Sequence, residues 1–203
     1  MNDAAFERER ARGHIELICG SMFSGKTEEL IRRLKRAQIA RQRVQVFKPR
    51  LDRRYDEVHV VSHSLQKLVS EPIDGADELL EKVLPQTQVV GIDEVQFLGP
   101  GIVPAAQTLA NRGLRVICAG LDQDYRGHPF EPMPSLLAVA EFIDKELAIC
   151  VVCGNPANKS QRIVDVPGRV VVGGLGEYEP RCRRCFVPVP EPTETEEQPA
   201  LFK

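Results

Sequence analysis

Apolar residues along this chain fall into two kinds of pattern. Short unbroken runs occur at His-Ile-Glu-Leu-Ile-Cys (14–19), Val44-Gln45-Val46-Phe47, Val89-Val90-Gly91-Ile92 and Leu114 to Ala119. Runs of four to eight bounded by turn residues predict buried strands. Between them the period changes. From Thr27 onward, Leu30, Ile31, Leu34 and Ala37 share one helical face, while Glu28, Arg32, Arg33, Lys35 and Arg36 cover the other. Further helices are predicted over Asp77 to Leu84, stopped near Pro85, and over Pro104 to Arg112, with proline in the first turn and Gly113 closing it. Arg50 to about Asp74 is polar, with at most a short strand from Val58 to Val61. Apolar strands alternating with helices predict an α/β fold, a mostly parallel sheet flanked by helices on both faces.

After Gly120 prolines and glycines become frequent, and two Cys-x-x-Cys pairs bracket the run Val170-Val171-Val172-Gly173-Gly174. The expected organisation is an N-terminal extension (1–13), an α/β domain (14–148), a small metal-bearing lobe (149–190) and an acidic tail (191–203). The tail is rich in Pro, Glu and Thr, with little to bury, so disorder is expected there. Composition changes this picture only by exclusion. The 203 residues are 42% hydrophobic and 28% charged with net charge −2, which argues against a dedicated duplex-DNA binder. No apolar run approaches the ~18–20 residues that span a bilayer. The first thirteen residues lack the apolar core of a signal peptide, so a cytoplasmic location is expected.

The chemistry begins directly after the first strand. Gly20-Ser21-Met22-Phe23-Ser24-Gly25-Lys26-Thr27 fits G-x-x-x-x-G-K-[ST]. Its glycines let backbone N–H groups turn toward the β- and γ-phosphates, Lys26 adds positive charge, and the Thr27 hydroxyl suits Mg²⁺. The helix that follows adds its N-terminal dipole. A strand before and a helix after are the context this pattern requires, and they make the sheet one of the P-loop NTPase type. Asp93 and Glu94, at the end of an apolar strand, supply the complementary half. Asp93 stands where such proteins hold Mg²⁺, and Glu94 suits a general base toward an attacking hydroxyl or water.

Four of the six cysteines, Cys150, Cys153, Cys182 and Cys185, form two Cys-x-x-Cys pairs suited to a tetrahedral four-thiolate zinc site. With all four positions filled by cysteine the metal is structural, and iron is the alternative occupant. Cys19 and Cys118 lie inside strands and read as core residues. His14 is expected to be exposed. His59, His63 and His128 read as loop residues without catalytic roles.

Three segments, Met22-Phe23-Ser24-Gly25-Lys26-Thr27-Glu28-Glu29-Leu30, Asp93-Glu94-Val95-Gln96-Phe97 and Gly120-Leu121-Asp122-Gln123-Asp124-Tyr125-Arg126-Gly127, resemble the thymidine kinases of the cellular, zinc-containing class. Ser160-Gln161-Arg162, Val172-Gly173-Gly174, Tyr178 and Cys182-Arg183-Arg184-Cys185 extend the resemblance over His14 to Phe186. It implies ATP-dependent phosphorylation of thymidine and deoxyuridine at the 5′-hydroxyl. It also implies structural zinc, Mg²⁺ with ATP, a homo-oligomer (dimer or tetramer) and feedback inhibition by dTTP.

Carried over by position, the resemblance makes Glu94 the base, and Arg54 and Lys26 the stabilisers of the transferring phosphoryl group. ATP binding would use Gly20 to Thr27 together with Asp52, Arg53, Arg54 and Asp93 to Gln96. Thr27, Asp52 and Asp93 would hold Mg²⁺. Met22, Phe97, Leu121, Tyr125 and Phe130 would line the base pocket. Ser160, Arg169, Val170, Val171, Val172, Gly173 and Tyr178 would belong to a loop folding over thymine. Ser21, Val95 and Tyr125 depart from the family's usual proline, smaller residue and phenylalanine. Two other readings share part of the pattern: a P-loop ATPase with no nucleoside acceptor, and a zinc-ribbon nucleic-acid binder using Arg162, Arg169, Arg181, Arg183 and Arg184.

Overall fold

The computed structural model describes residues 13–51, 59–61, 67–164 and 176–188. The chain opens with β1 (His14–Gly20), α1 (Lys26–Ile39) and β2 (Val44–Pro49), followed by short strands β3 (His59–Val61), β4 (Lys67–Val69) and β5 (Glu71–Ile73). Next come α2 (Ala76–Lys82), β6 (Val89–Ile92), a single 3₁₀ turn (Val95–Leu98), α3 (Ile102–Asn111) and β7 (Arg115–Leu121). The α/β part closes with α4 (Met133–Val139) and β8 (Phe142–Glu146). Six strands form one sheet in the order β5-β2-β6-β7-β1-β8, and every pairing in it is parallel.

Both faces of that sheet are covered, which explains the unbroken apolar runs. Side chains alternate across a strand. Leu17, Cys19, Val116 and Cys118 therefore pack with Leu79, Ile102, Leu109, Met133 and Leu136 of α2, α3 and α4. Ile18, Ile117 and Ala119 face the other way, against Leu30, Ile31, Leu34 and Ala37 of α1. Fully burying one such side chain contributes about 1.5–3 kcal/mol, so the alternation fixes strand register. Glu16 is buried within β1, where Arg33 donates to it at 2.6 Å and Arg115 and His14 also pair with it. Those partners hold its carboxyl below the usual range against the opposing effect of burial.

Several boundaries differ from expectation. The helices begin earlier, at Ala76 and Ile102, so Pro104 lies in the first turn of α3 as its third residue. β7 runs on to Leu121. α4 and β8 had no counterpart in the apolar pattern. His14, expected to be exposed, is instead partly buried, edge-on to Phe142 at 5.3 Å and bonded to Glu16. The sheet ends at Glu146, and antiparallel hairpins follow. β9 (Ala148–Ile149) pairs with β10 (Pro156–Ala157), and β11 (Lys159–Arg162) pairs with β12 (Tyr178–Arg181). Residues 1–12, the Asp52-Arg53-Arg54 segment, Arg169 to Gly173 and the tail from 191 lie outside the described residues.

Candidate active site

The loop between β1 and α1 folds as its glycines require. Gly20 has φ 146°, and a Cβ there would stand 2.2 Å from the carbonyl oxygen of Glu146, on the neighbouring strand β8. Gly25, at φ 89°, caps α1. Lys26 is buried and donates from Nζ to the Ser21 carbonyl at 2.7 Å, so its charge lies across the loop. Ser21 Oγ donates to the Ala157 carbonyl at 3.3 Å, and the Met22 N–H donates to Ser160 Oγ at 3.0 Å. The β10 and β11 hairpins are thus bonded to the loop itself.

At the end of β6, Asp93 accepts from Thr27 Oγ1 at 3.2 Å through Oδ2, with Oδ1 at 3.5 Å. A hydroxyl and a carboxylate meeting at the head of α1 make a hard oxygen donor set, which fits Mg²⁺. Glu94 adopts a left-handed backbone (φ 48°, ψ 41°), a conformation that costs a non-glycine residue about 1–2 kcal/mol. Its carboxylate receives Gln96 Nε2 at 2.5 Å, while Gln96 Oε1 accepts from the Leu121 N–H at 3.1 Å. Gly120 makes room for that bridge, because a Cβ there would lie 2.5 Å from Gln96 Oε1. Gln96 was expected among the ATP-binding residues; in the fold it ties Glu94 to β7.

The expected base-pocket residues separate into two groups. Met22, Tyr125 and Tyr178 form one buried cluster, with Phe23 and Leu121 packed against it. Phe97 and Phe130 form an edge-to-face pair, with centroids 5.8 Å apart. The Gly120–Phe130 turn is held by Asp124, which accepts from the Arg126 and His128 N–H groups at 2.9 and 3.0 Å. Asp122, also buried, pairs with Lys145 at 2.6 Å. Asp122 and Asp124 lie within the Gly120–Gly127 segment that carries the resemblance, but neither they nor Lys145 has a role legible from the sequence.

The four cysteine sulfurs lie within 4.8 Å of one another, with Cys153 and Cys182 at 3.5 Å. Zinc–sulfur bonds of about 2.3 Å put tetrahedral sulfurs about 3.8 Å apart, so the cluster fits a four-thiolate metal. Each pair sits in a tight turn, marked by Gly154 N–H to Cys150 at 2.9 Å and Cys185 N–H to Cys182 at 3.0 Å. Cys19 and Cys118 are buried core residues, and burial, first among several influences at Cys19, pushes their thiols up to about 11 and about 12. They stay protonated at neutral pH and take no part in the site. Among the described residues no helix is long and apolar enough to cross a membrane.

A parallel sheet whose first strand feeds a glycine-bearing loop and a helix, with an acidic pair just past the end of a nearby strand, defines a P-loop phosphoryl-transfer protein. The thymidine kinase family model matches residues 13–186, and the chain belongs to that family. It is 63% identical over 183 residues to a thymidine kinase of Rhodothermus sp. (strain ITI 518), spanning 90% of this chain and 85% of that one. A thymidine kinase of Bdellovibrio bacteriovorus is 56% identical over 183 residues, 90% of each chain. One of Bacteroides thetaiotaomicron is 52% identical over 181 residues, 89% of this chain and 90% of the other.

Proposed function

We propose that this chain transfers the γ-phosphoryl group of ATP to the 5′-hydroxyl of thymidine, and also of deoxyuridine, yielding dTMP or dUMP and ADP. The carrying observation is Glu94, held by Gln96 at the end of β6 beside the Thr27–Asp93 pair. Family membership supports the acceptor.

In this reading the backbone N–H groups from Gly20 to Thr27 bind the phosphates, and Lys26 neutralises charge on the transferring group. Thr27 and Asp93, with Asp52, would hold Mg²⁺, which would offset negative charge on the phosphates. Glu94 takes the proton of the 5′-hydroxyl as that oxygen bonds to phosphorus, and the bond to ADP breaks with its electron pair on ADP. Arg54 and Arg53 belong to the same phosphate side. Met22, Leu121, Tyr125 and Tyr178, together with the Phe97–Phe130 pair, line the pyrimidine pocket. Apolar faces with a few polar groups are what a flat base needs. Ser160 anchors its hairpin to the Met22 amide; by the family resemblance Arg169 to Gly173 would contribute to thymine binding, and a covered site would keep out water that competes with the hydroxyl.

The four clustered cysteines would hold zinc, which would act as a structural clamp on the two hairpins. A four-way organisation (1–13, 14–148, 149–190, 191–203), a cytoplasmic home, a dimer or tetramer, and inhibition by dTTP complete the reading. The test is stoichiometry. ADP and dTMP should appear one to one, with little ADP formed before thymidine is added. ADP release indifferent to thymidine would replace the kinase with an ATPase.

A further inference from the structure

Ser160 and Arg162 lie two residues apart on β11 and therefore on one face of that strand. Ser160 uses this face to accept the Met22 N–H of the phosphate loop. Arg162 uses it to reach two buried tyrosines. Its guanidinium carbon lies 3.6 Å from the centroid of the Tyr125 ring, well within cation–π range, and 5.8 Å from that of Tyr178. Nη2 also donates to the Tyr178 hydroxyl at 3.4 Å. The register makes the second contact possible, because Arg162 pairs directly with Tyr178 across the β11–β12 hairpin. Tyr125 is fixed at its other end too, where its hydroxyl accepts from Arg126 Nε at 2.9 Å. Gln161 faces the opposite way and accepts the Val187 N–H at 2.8 Å, so the strand cannot roll to exchange the two faces without losing both sets of bonds.

We infer that Arg162 is a positioning residue for the nucleoside, setting the planes of the Tyr125 and Tyr178 rings. The assignment rests on the thymidine kinase reading of the pocket. Arginine suits the role and lysine does not, because a planar guanidinium can lie flat on one ring while its fork reaches a second group. Ser160 on the same strand face ties this wall to the phosphate loop, so acceptor and donor sides are held by one element. The tyrosine hydroxyl at 125 adds the Arg126 anchor, which a phenylalanine would lack.

The experiment measures steady-state kinetics of Arg162→Met and Arg162→Lys beside the unaltered protein, varying thymidine and ATP separately. Methionine keeps much of the length and apolar stem but removes the charge and the cation–π contact. Its thymidine KM should rise about tenfold, the scale of a partly desolvated cation–π contact. Its kcat and its KM for ATP should stay within about twofold, and metal content should be unchanged. Lysine should recover only part of the loss. A thymidine KM for Arg162→Met within twofold of the unaltered protein would overturn the assignment, as would ATP and thymidine KM values rising together. Failure of the unaltered protein to phosphorylate thymidine would remove the kinase reading and this assignment with it, an outcome visible before any variant is made.

Discussion

Replacing Gln96 with leucine removes both ends of one bridge while nearly keeping the side-chain volume. Gln96 is 1% exposed, so no water reaches in to take its place. The Leu121 N–H loses its acceptor, and an unsatisfied buried donor costs about 1–3 kcal/mol. Glu94 loses a charge-assisted bond of about 1.5–3 kcal/mol, discounted because that carboxylate is partly solvated. Together these give a destabilisation of about 3 kcal/mol, a fall in Tm of about 6–12 °C for a chain of this size. The kinetic effect separates from the stability effect. With its carboxylate released, Glu94 meets the 5′-hydroxyl less often in a reactive geometry, and kcat should fall about 10- to 100-fold. The KM for ATP should hold within about twofold, because the phosphate loop is untouched. Differential scanning fluorimetry and initial rates well below the new Tm measure the two effects independently. A normal kcat alongside the expected Tm drop would reduce Gln96 to a packing residue. An unchanged Tm would mean that the bridge does not form in solution.

The other predictions test different parts of the site. Glu94→Gln should bind ATP as before while kcat drops at least about 100-fold, the scale of a lost general base; near-normal turnover would remove Glu94 from that role. Metal removal by a strong chelator should expose four titratable thiols and raise the KM for thymidine far more than that for ATP, because the clamped hairpins contribute Tyr178 and Ser160; an unchanged thymidine KM would break the link. Glu29 offers a pH test. Hydrogen bonding from Arg32, aided by Arg33 and opposed by burial, lowers its carboxyl from 4.5 to about 2. A depressed folded value gives stability that is present above about pH 4.5 and lost as pH falls toward 2. The Tm advantage of the unaltered protein over Glu29→Gln should shrink across that window, and a constant difference would refute the pairing.

The elements legible from the sequence were those whose burial is two-sided or periodic. β1, β6 and β7 announce themselves because both faces meet helices, and α1 because Leu30, Ile31, Leu34 and Ala37 recur on one face. β8 escaped because Phe-Ile-Asp-Lys-Glu lies on the sheet edge and is largely exposed, so burial writes no pattern into it. α4 escaped because seven residues with Pro134 inside them carry too few turns to show a period. The site divides in the same way. Phosphate-loop spacing and doubled cysteine pairs are local rules, readable along the chain. The Gln96 bridge joins residues 25 positions apart, and the Ser160–Met22 bond joins residues 138 apart. Those contacts depend on sheet order, which no local pattern encodes. The same holds for Glu16, an acid in an apolar strand that makes sense only once Arg33 and Arg115 are brought to it.

The most direct test of the central claim is phosphate transfer from Mg-ATP to a panel of deoxynucleosides, with a control lacking nucleoside. Monophosphate should form readily from thymidine and also from deoxyuridine, and scarcely from deoxycytidine or the purine nucleosides. Equal phosphorylation across the panel, or hydrolysis of ATP that no nucleoside alters, would contradict the account.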